Sequence, residues 1–157
     1  MRFDDMLSTI KTKQFIKSDI ATVWEFISSP KNLAKITPEY MGFEIIGNLG
    51  EEKMYPGQII EYYVTPVAKI KMHWVTEITH VKDKEYFVDE QRFGPYAMWH
   101  HKHFLREVSG GVEMIDIVHY KAPFGIFGKI ANGLFIKKQL KTIFDYRFKK
   151  MEELFNK

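Results

Sequence analysis

The run Trp99-His100-His101-Lys102-His103 holds three of the chain's six histidines. Side chains alternate between the two faces of an extended strand, so His101 and His103 share a face and His100 takes the other. Imidazole titrates near neutral pH, and two on one face can exchange protons, hold an anion or ligate a metal. The groups opposite them decide which. Asp89, Asp116 and Arg147 are therefore the residues to place.

Alternation and turn signals place them. Segments 42–49, 57–65, 69–82, 85–93, 97–108 and 112–121 are rich in β-branched and aromatic residues and are separated by turns such as Gly94-Pro95 and Ser109-Gly110-Gly111. Setting Glu107 opposite Val112 pairs Arg106 with Glu113, Leu105 with Met114, His103 with Asp116 and Trp99 with Tyr120. Each of these pairs is chemically compatible. A two-residue Asp83-Lys84 turn sets Ile78 against Asp89, Thr76 against Gln91 and Trp74 against Phe93. Pairing Phe93 with Ala97 then brings Gln91 to Trp99 and Asp89 to His101. The inner face carries Met72, Trp74, Ile78, Phe87 and Phe93, with a polar row of Thr76, Asp89, Gln91, His101, His103, Asp116 and Tyr120.

The other elements read as a strand over 6–16, a helix capped by Ser18 and running through Ile20, Val23, Trp24 and Ile27, and a short helix opening at Pro30. A long helix over 127–155 has an apolar stripe of Ile136, Leu140, Ile143, Phe144, Met151, Leu154 and Phe155. Arg147 falls inside that stripe, where a guanidinium needs an anion.

Composition limits the function. The 157 residues are 45% hydrophobic and 15% aromatic, with thirteen Phe, eight Tyr, three Trp and no cysteine. Such a chain buries enough apolar surface to fold as one domain, 1–157, without disulfides. Cysteine chemistry is excluded, and the absence of cysteine suits a reducing compartment. The opening MRFDDMLSTI has acids where a signal peptide has bases, and no run approaches about 18 apolar residues. A cytoplasmic protein without stable membrane insertion is expected. The net charge of +3 gives no case for nucleic acid, although nine bases face three acids from Lys121 onward. No serine sits in a nucleophile elbow, and Gly125, Gly128 and Gly133 form no phosphate loop, so no cofactor is expected. An H-x-H pair beside carboxylates suits zinc, iron or nickel, but the spacing is common in strands and no HExxH supports it. No metal is expected on sequence grounds.

The whole chain resembles the START-like, or SRPBCC, superfamily. The resemblance is sharpest to its bacterial ligand-binding proteins of cyclase/dehydrase type. It is carried by VWEFISSPKNLAKITPEYMGFEI, MYPGQIIEYYV, HWVTEIT, FVDEQRFGPYAMWHHKHF, YKAPFG and QLKTIFDYRF, in that order. It implies an α+β helix-grip fold, with a curved seven-stranded antiparallel sheet around a long C-terminal helix and two short helices after the first strand. It also implies a cavity for a small hydrophobic or amphipathic ligand such as a lipid, polyketide or quinone-like molecule.

In that cavity Trp74, Phe87, Trp99, Tyr120 and Phe144 are expected as walls. Asp89, Gln91, His101, His103, Asp116 and Arg147 are expected as polar contacts. Three roles stay open for the polar groups: a buried structural network, recognition of a ligand's oxygens, or proton transfer. In the last, His101 or His103, with Asp116, would act as the acid and base of a cyclase/dehydrase-like enzyme. Outward Phe104, Ile115 and Ile117 would allow a homodimer contact.

Overall fold

A computed structural model of the protein describes residues 7–47, 53–67, 70–125 and 135–157. Strand β1 (Ser8–Ile16) leads into helix α1 (Ile20–Ile27), helix α2 (Pro30–Leu33) and two 3-10 turns. Strands β2 (Glu44–Ile45), β3 (Gln58–Val67), β4 (Ile70–Lys82), β5 (Tyr86–Phe93), β6 (Met98–Val108) and β7 (Gly111–Lys121) follow, and helix α3 (Lys137–Phe155) ends the chain. The seven strands form one antiparallel sheet in the order β1-β7-β6-β5-β4-β3-β2. Residues 48–49 of the expected second strand lie outside the described residues. So do residues 127–134 of the expected long helix, with Gly128 and Gly133, and the first six residues of the chain.

The α1 cap is Asp19, one residue later than the Ser18 expected from sequence. Its carboxylate accepts from the Thr22 backbone N–H at 2.9 Å and the Thr22 hydroxyl at 2.6 Å. An acid there satisfies an orphan amide and also favours the positive end of the helix.

The β6–β7 hairpin has the expected register throughout, from Trp99↔Tyr120 to Glu107↔Val112, with His103↔Asp116 between. Asp89↔His101, Ile78↔Asp89 and Thr76↔Gln91 also form. The β4–β5 turn differs. Lys82 pairs with Tyr86 across a three-residue loop in which Lys84 adopts φ 58°, and an extra residue at Thr79 restores the register by Ile78. A second irregularity sets Val75, not Trp74, opposite Phe93, with Arg92 as the extra residue. A one-residue offset moves a side chain to the other face. Phe93 is therefore 62% exposed and packs on His73 with ring centroids 5.8 Å apart, instead of joining the inner face. The β5–β6 pairing stops at Glu90↔His100, so the expected Phe93–Ala97 and Gln91–Trp99 pairs do not form.

Helix α3 lies across the inner face, burying Leu140, Phe144 and Met151. Leu154, expected in its stripe, is exposed. The end of α3 is fastened to β1 by side-chain amides. Gln14 Nε2 donates to Phe148 O at 2.9 Å and Glu152 Oε1 at 2.8 Å, while Asn156 Nδ2 donates to Phe15 O at 2.9 Å and Glu152 Oε2 at 2.8 Å. Phe104, Ile115 and Ile117 are half-buried on the outer face. Among the described residues no helix is long and apolar enough to cross a membrane.

Candidate functional site

A cavity of about 160 Å³ lies between the sheet and α3. An apolar void of roughly 150 Å³ holds a benzene ring, so the space suits a group of that size. Its walls come from every layer: Leu33 and Ile36 from the short helices, Tyr62 and Trp74 from β3 and β4, and Leu140 and Phe144 from α3. Trp74 packs edge-on to Trp99, with centroids 5.4 Å apart, and stacks on Tyr62 at 5.7 Å. Offset and edge-on pairs of this kind stiffen an aromatic wall.

Set into the wall is a ring of four groups. His101 Nε2 lies 3.0 Å from Asp116 Oδ1, and His103 Nδ1 lies 2.8 Å from the same oxygen. Their other nitrogens turn to Asp89 Oδ2, His103 Nε2 at 2.8 Å and His101 Nδ1 at 3.7 Å. The two imidazoles stack, with centroids 3.7 Å apart, and Phe87 covers His103 at 4.0 Å. Strand alternation places both histidines inward from β6, and the register supplies one aspartate from each neighbouring strand.

The contacts fix the protons. His103 Nε2 hydrogen-bonds to Asp89 and its Nδ1 lies 2.8 Å from Asp116, so both nitrogens face carboxylates, surroundings that favour the imidazolium. Burial pushes the His103 pKa down, but its contacts with Asp116 and Asp89 outweigh burial and raise it. His101 goes the other way. Burial and the charge on His103 lower its pKa against the pull of both aspartates, leaving a neutral ring that donates Nε2–H to Asp116. Burial pushes the Asp116 carboxyl up, yet the bonds from His101 and His103 hold it well below the usual range. Asp89 is also lowered: burial opposes, and His103, His101 and the charge of Arg147 prevail.

Arg147 completes the balance without touching the ring of four groups. It lines the cavity with its guanidinium over Phe144, the carbon 5.2 Å from the aromatic centroid. Its Nε is buried without a hydrogen-bond partner, as is Nε1 of Trp74 in the same cavity wall. The histidines, not Arg147, satisfy the two carboxylates.

Comparison with solved structures gives the architecture a name. A protein of Thermus thermophilus superposes with TM-score 0.71 at 14% identity, covering 93% of this chain and 95% of that one. A Chromobacterium violaceum protein gives 0.70 at 13%, covering 95% and 98%. The ginseng major latex-like protein 151 of Panax ginseng gives 0.63 at 11%, covering 94% and 96%. This is the helix-grip fold of START-like proteins. No protein-family model matches the sequence, and no curated protein does.

Within the helix grip, nine of the eleven residues singled out from sequence line the cavity: Trp74, Phe87, Asp89, Trp99, His101, His103, Asp116, Phe144 and Arg147. Gln91 and Tyr120 stand behind it. Gln91 Nε2 donates to Tyr96 O at 2.7 Å and its Oε1 accepts from Tyr96 N–H at 3.2 Å, bracing the β5–β6 loop. Tyr120 is buried and supports Tyr96 and Trp99, at centroid distances of 5.9 and 6.3 Å. The sequence reading missed Tyr96 and Tyr62. Tyr62 had a usable signal, since Ile60, Tyr62 and Val64 alternate inward along β3. Tyr96 lies in an irregular turn and had none.

Proposed function

We propose that the protein binds a small amphipathic molecule in this cavity, with an apolar body against the aromatic wall and an anionic or strongly polar end at Arg147. The orphaned Nε of Arg147 carries the reading. A buried donor left unmade costs about 1–3 kcal/mol. A cation whose buried donor has no acceptor among the described residues, lining an apolar cavity, is therefore a place for an acceptor brought by a ligand. A carboxylate, phosphate or polarised keto oxygen has that chemistry, as lipid-like acids, polyketides and quinone-like molecules do. A soluble cytoplasmic carrier or sensor of such a molecule is the activity this supports.

Native mass spectrometry of protein purified from cells tests it. A retained small molecule, one per chain and absent from Arg147→Met, is the expected result. An empty cavity that also takes up no amphipathic acid would overturn it.

One observation favours a second reading, acid–base catalysis of the cyclase/dehydrase kind. His101 is held neutral in one tautomer, and its Nδ1, 3.7 Å from Asp89, is too far to hydrogen-bond there. That lone pair at the cavity wall could take a proton from a carbon beside a carbonyl while Arg147 holds the enolate oxygen. Turnover of a β-keto substrate that is lost in His101→Ala would distinguish it from binding alone.

A further inference from the structure

We propose that Asp89, His101 and His103 form a site for one divalent transition-metal ion of the zinc or ferrous class, with its open positions facing the cavity. One donor atom from each of the three residues lies within 4.8 Å of the other two. Asp89 Oδ2 is 3.7 Å from His101 Nδ1 and 2.8 Å from His103 Nε2. Donors bound tetrahedrally at about 2.0–2.2 Å stand about 3.4 Å apart, so small side-chain movements suffice to admit an ion. Two imidazoles and one carboxylate are a donor set for zinc and for ferrous iron.

The second observation is Asp116. Histidines that bind metals nearly always give their other N–H to a carboxylate or carbonyl, which fixes the tautomer and aims the free nitrogen. Here one buried oxygen, Asp116 Oδ1, meets His101 Nε2 and His103 Nδ1 together, at 3.0 and 2.8 Å. It thereby turns His101 Nδ1 and His103 Nε2 toward the same point at Asp89. Phe87 stacks on His103 and fixes its plane.

Charge is consistent with this arrangement. Without metal, His103 and Arg147 offset Asp89 and Asp116. A divalent ion would displace the proton on His103 Nε2 to solvent and leave the site with one net positive charge. An anionic group coordinated at an open position would cancel it. The inference does not depend on the cavity holding any particular ligand, and it uses the His101 lone pair that the acid–base reading needs, so the two exclude each other.

The test uses full-length protein without a histidine tag, stripped with chelator and titrated with CoCl2 and then ZnCl2. One Co2+ per chain should bind with visible ligand-field absorption, and Zn2+ should displace it one for one. Asp89→Asn should weaken zinc binding at least about 100-fold. His100→Ala, which alters the outward His100–His119 pair with centroids 6.4 Å apart, should leave binding unchanged. X-ray absorption of the zinc-loaded wild type, which needs no variant, should show two imidazole ligands with oxygen donors. The proposal is overturned by no stoichiometric binding at millimolar zinc, by a folded Asp89→Asn that binds as well as wild type, or by a spectrum with fewer than two imidazoles.

Discussion

Arg147 lies over the ring of Phe144, one turn earlier on α3, and that contact holds its charge at the cavity wall away from both carboxylates. The pairing of those carboxylates with histidines, and not with the arginine, separates two kinds of residue at the site. Asp89, Asp116, His101 and His103 depend on one another, whereas Arg147 is free to answer to a ligand.

Arg147→Met should therefore change folding stability by less than about 1 kcal/mol, against about 3–5 kcal/mol for a residue whose removal leaves a buried charge unpaired. Urea denaturation of the metal-free protein measures this. A loss in the larger range would mean that the arginine is part of the buried network.

Asp116→Asn belongs to the other class. It keeps the shape and an acceptor oxygen but removes the negative charge that faces both histidines, and should cost about 3–5 kcal/mol. An imidazole nitrogen of His103 should also become visible as a titrating group in nitrogen-15 spectra, because the contact that helps to raise its pKa is gone.

Trp99 and its sequence neighbour His100 face opposite sides of β6. Trp99→Ala should enlarge the cavity that its ring lines, lower stability by up to about 3 kcal/mol, since the ring is only partly buried, and change ligand affinity. His100→Ala should stay within about 0.5 kcal/mol of wild type and leave affinity alone. Equal effects of the two would contradict the β6 register.

Acid should loosen the clasp between β1 and α3. Glu152 has a lowered pKa because it accepts hydrogen bonds from Gln14 and then Asn156. A carboxylate lowered in the folded state contributes stability above its unfolded pKa, and that contribution is lost as pH falls through the folded value. The stability difference between wild type and Glu152→Gln should therefore narrow as pH drops through and below the ordinary carboxylate range. A difference that is independent of pH would show that the two amides hold α3 without the charge.

The β6–β7 part of the inward polar row was legible because it rests on a local signal. The Ser109-Gly110-Gly111 turn set the β6–β7 register, and alternation then brought His101 and His103 to Asp116. Arg147 stood out as a charge within an apolar stripe. What could not be read depends on single extra residues. The irregularities at Thr79 and Arg92 have no sequence signature, yet the second of them turns Phe93 outward. Tyr96 reaches the cavity through a turn held by Gln91, a tertiary contact that no periodicity announces. That the histidines would take both carboxylates and leave Arg147 unpaired was equally out of reach, since it depends on distances across three strands and a helix.

The central claim is that Arg147 recognises an anion in an aromatic-walled cavity. Titrating the metal-free protein with benzoate and benzyl alcohol, which share the ring and differ in charge, tests it most directly. The acid should bind more tightly by about 1.5–3 kcal/mol, roughly ten- to a hundredfold, and the gap should close in Arg147→Met. Equal affinities in the wild type, or a preference for the acid that survives in Arg147→Met, would contradict the claim.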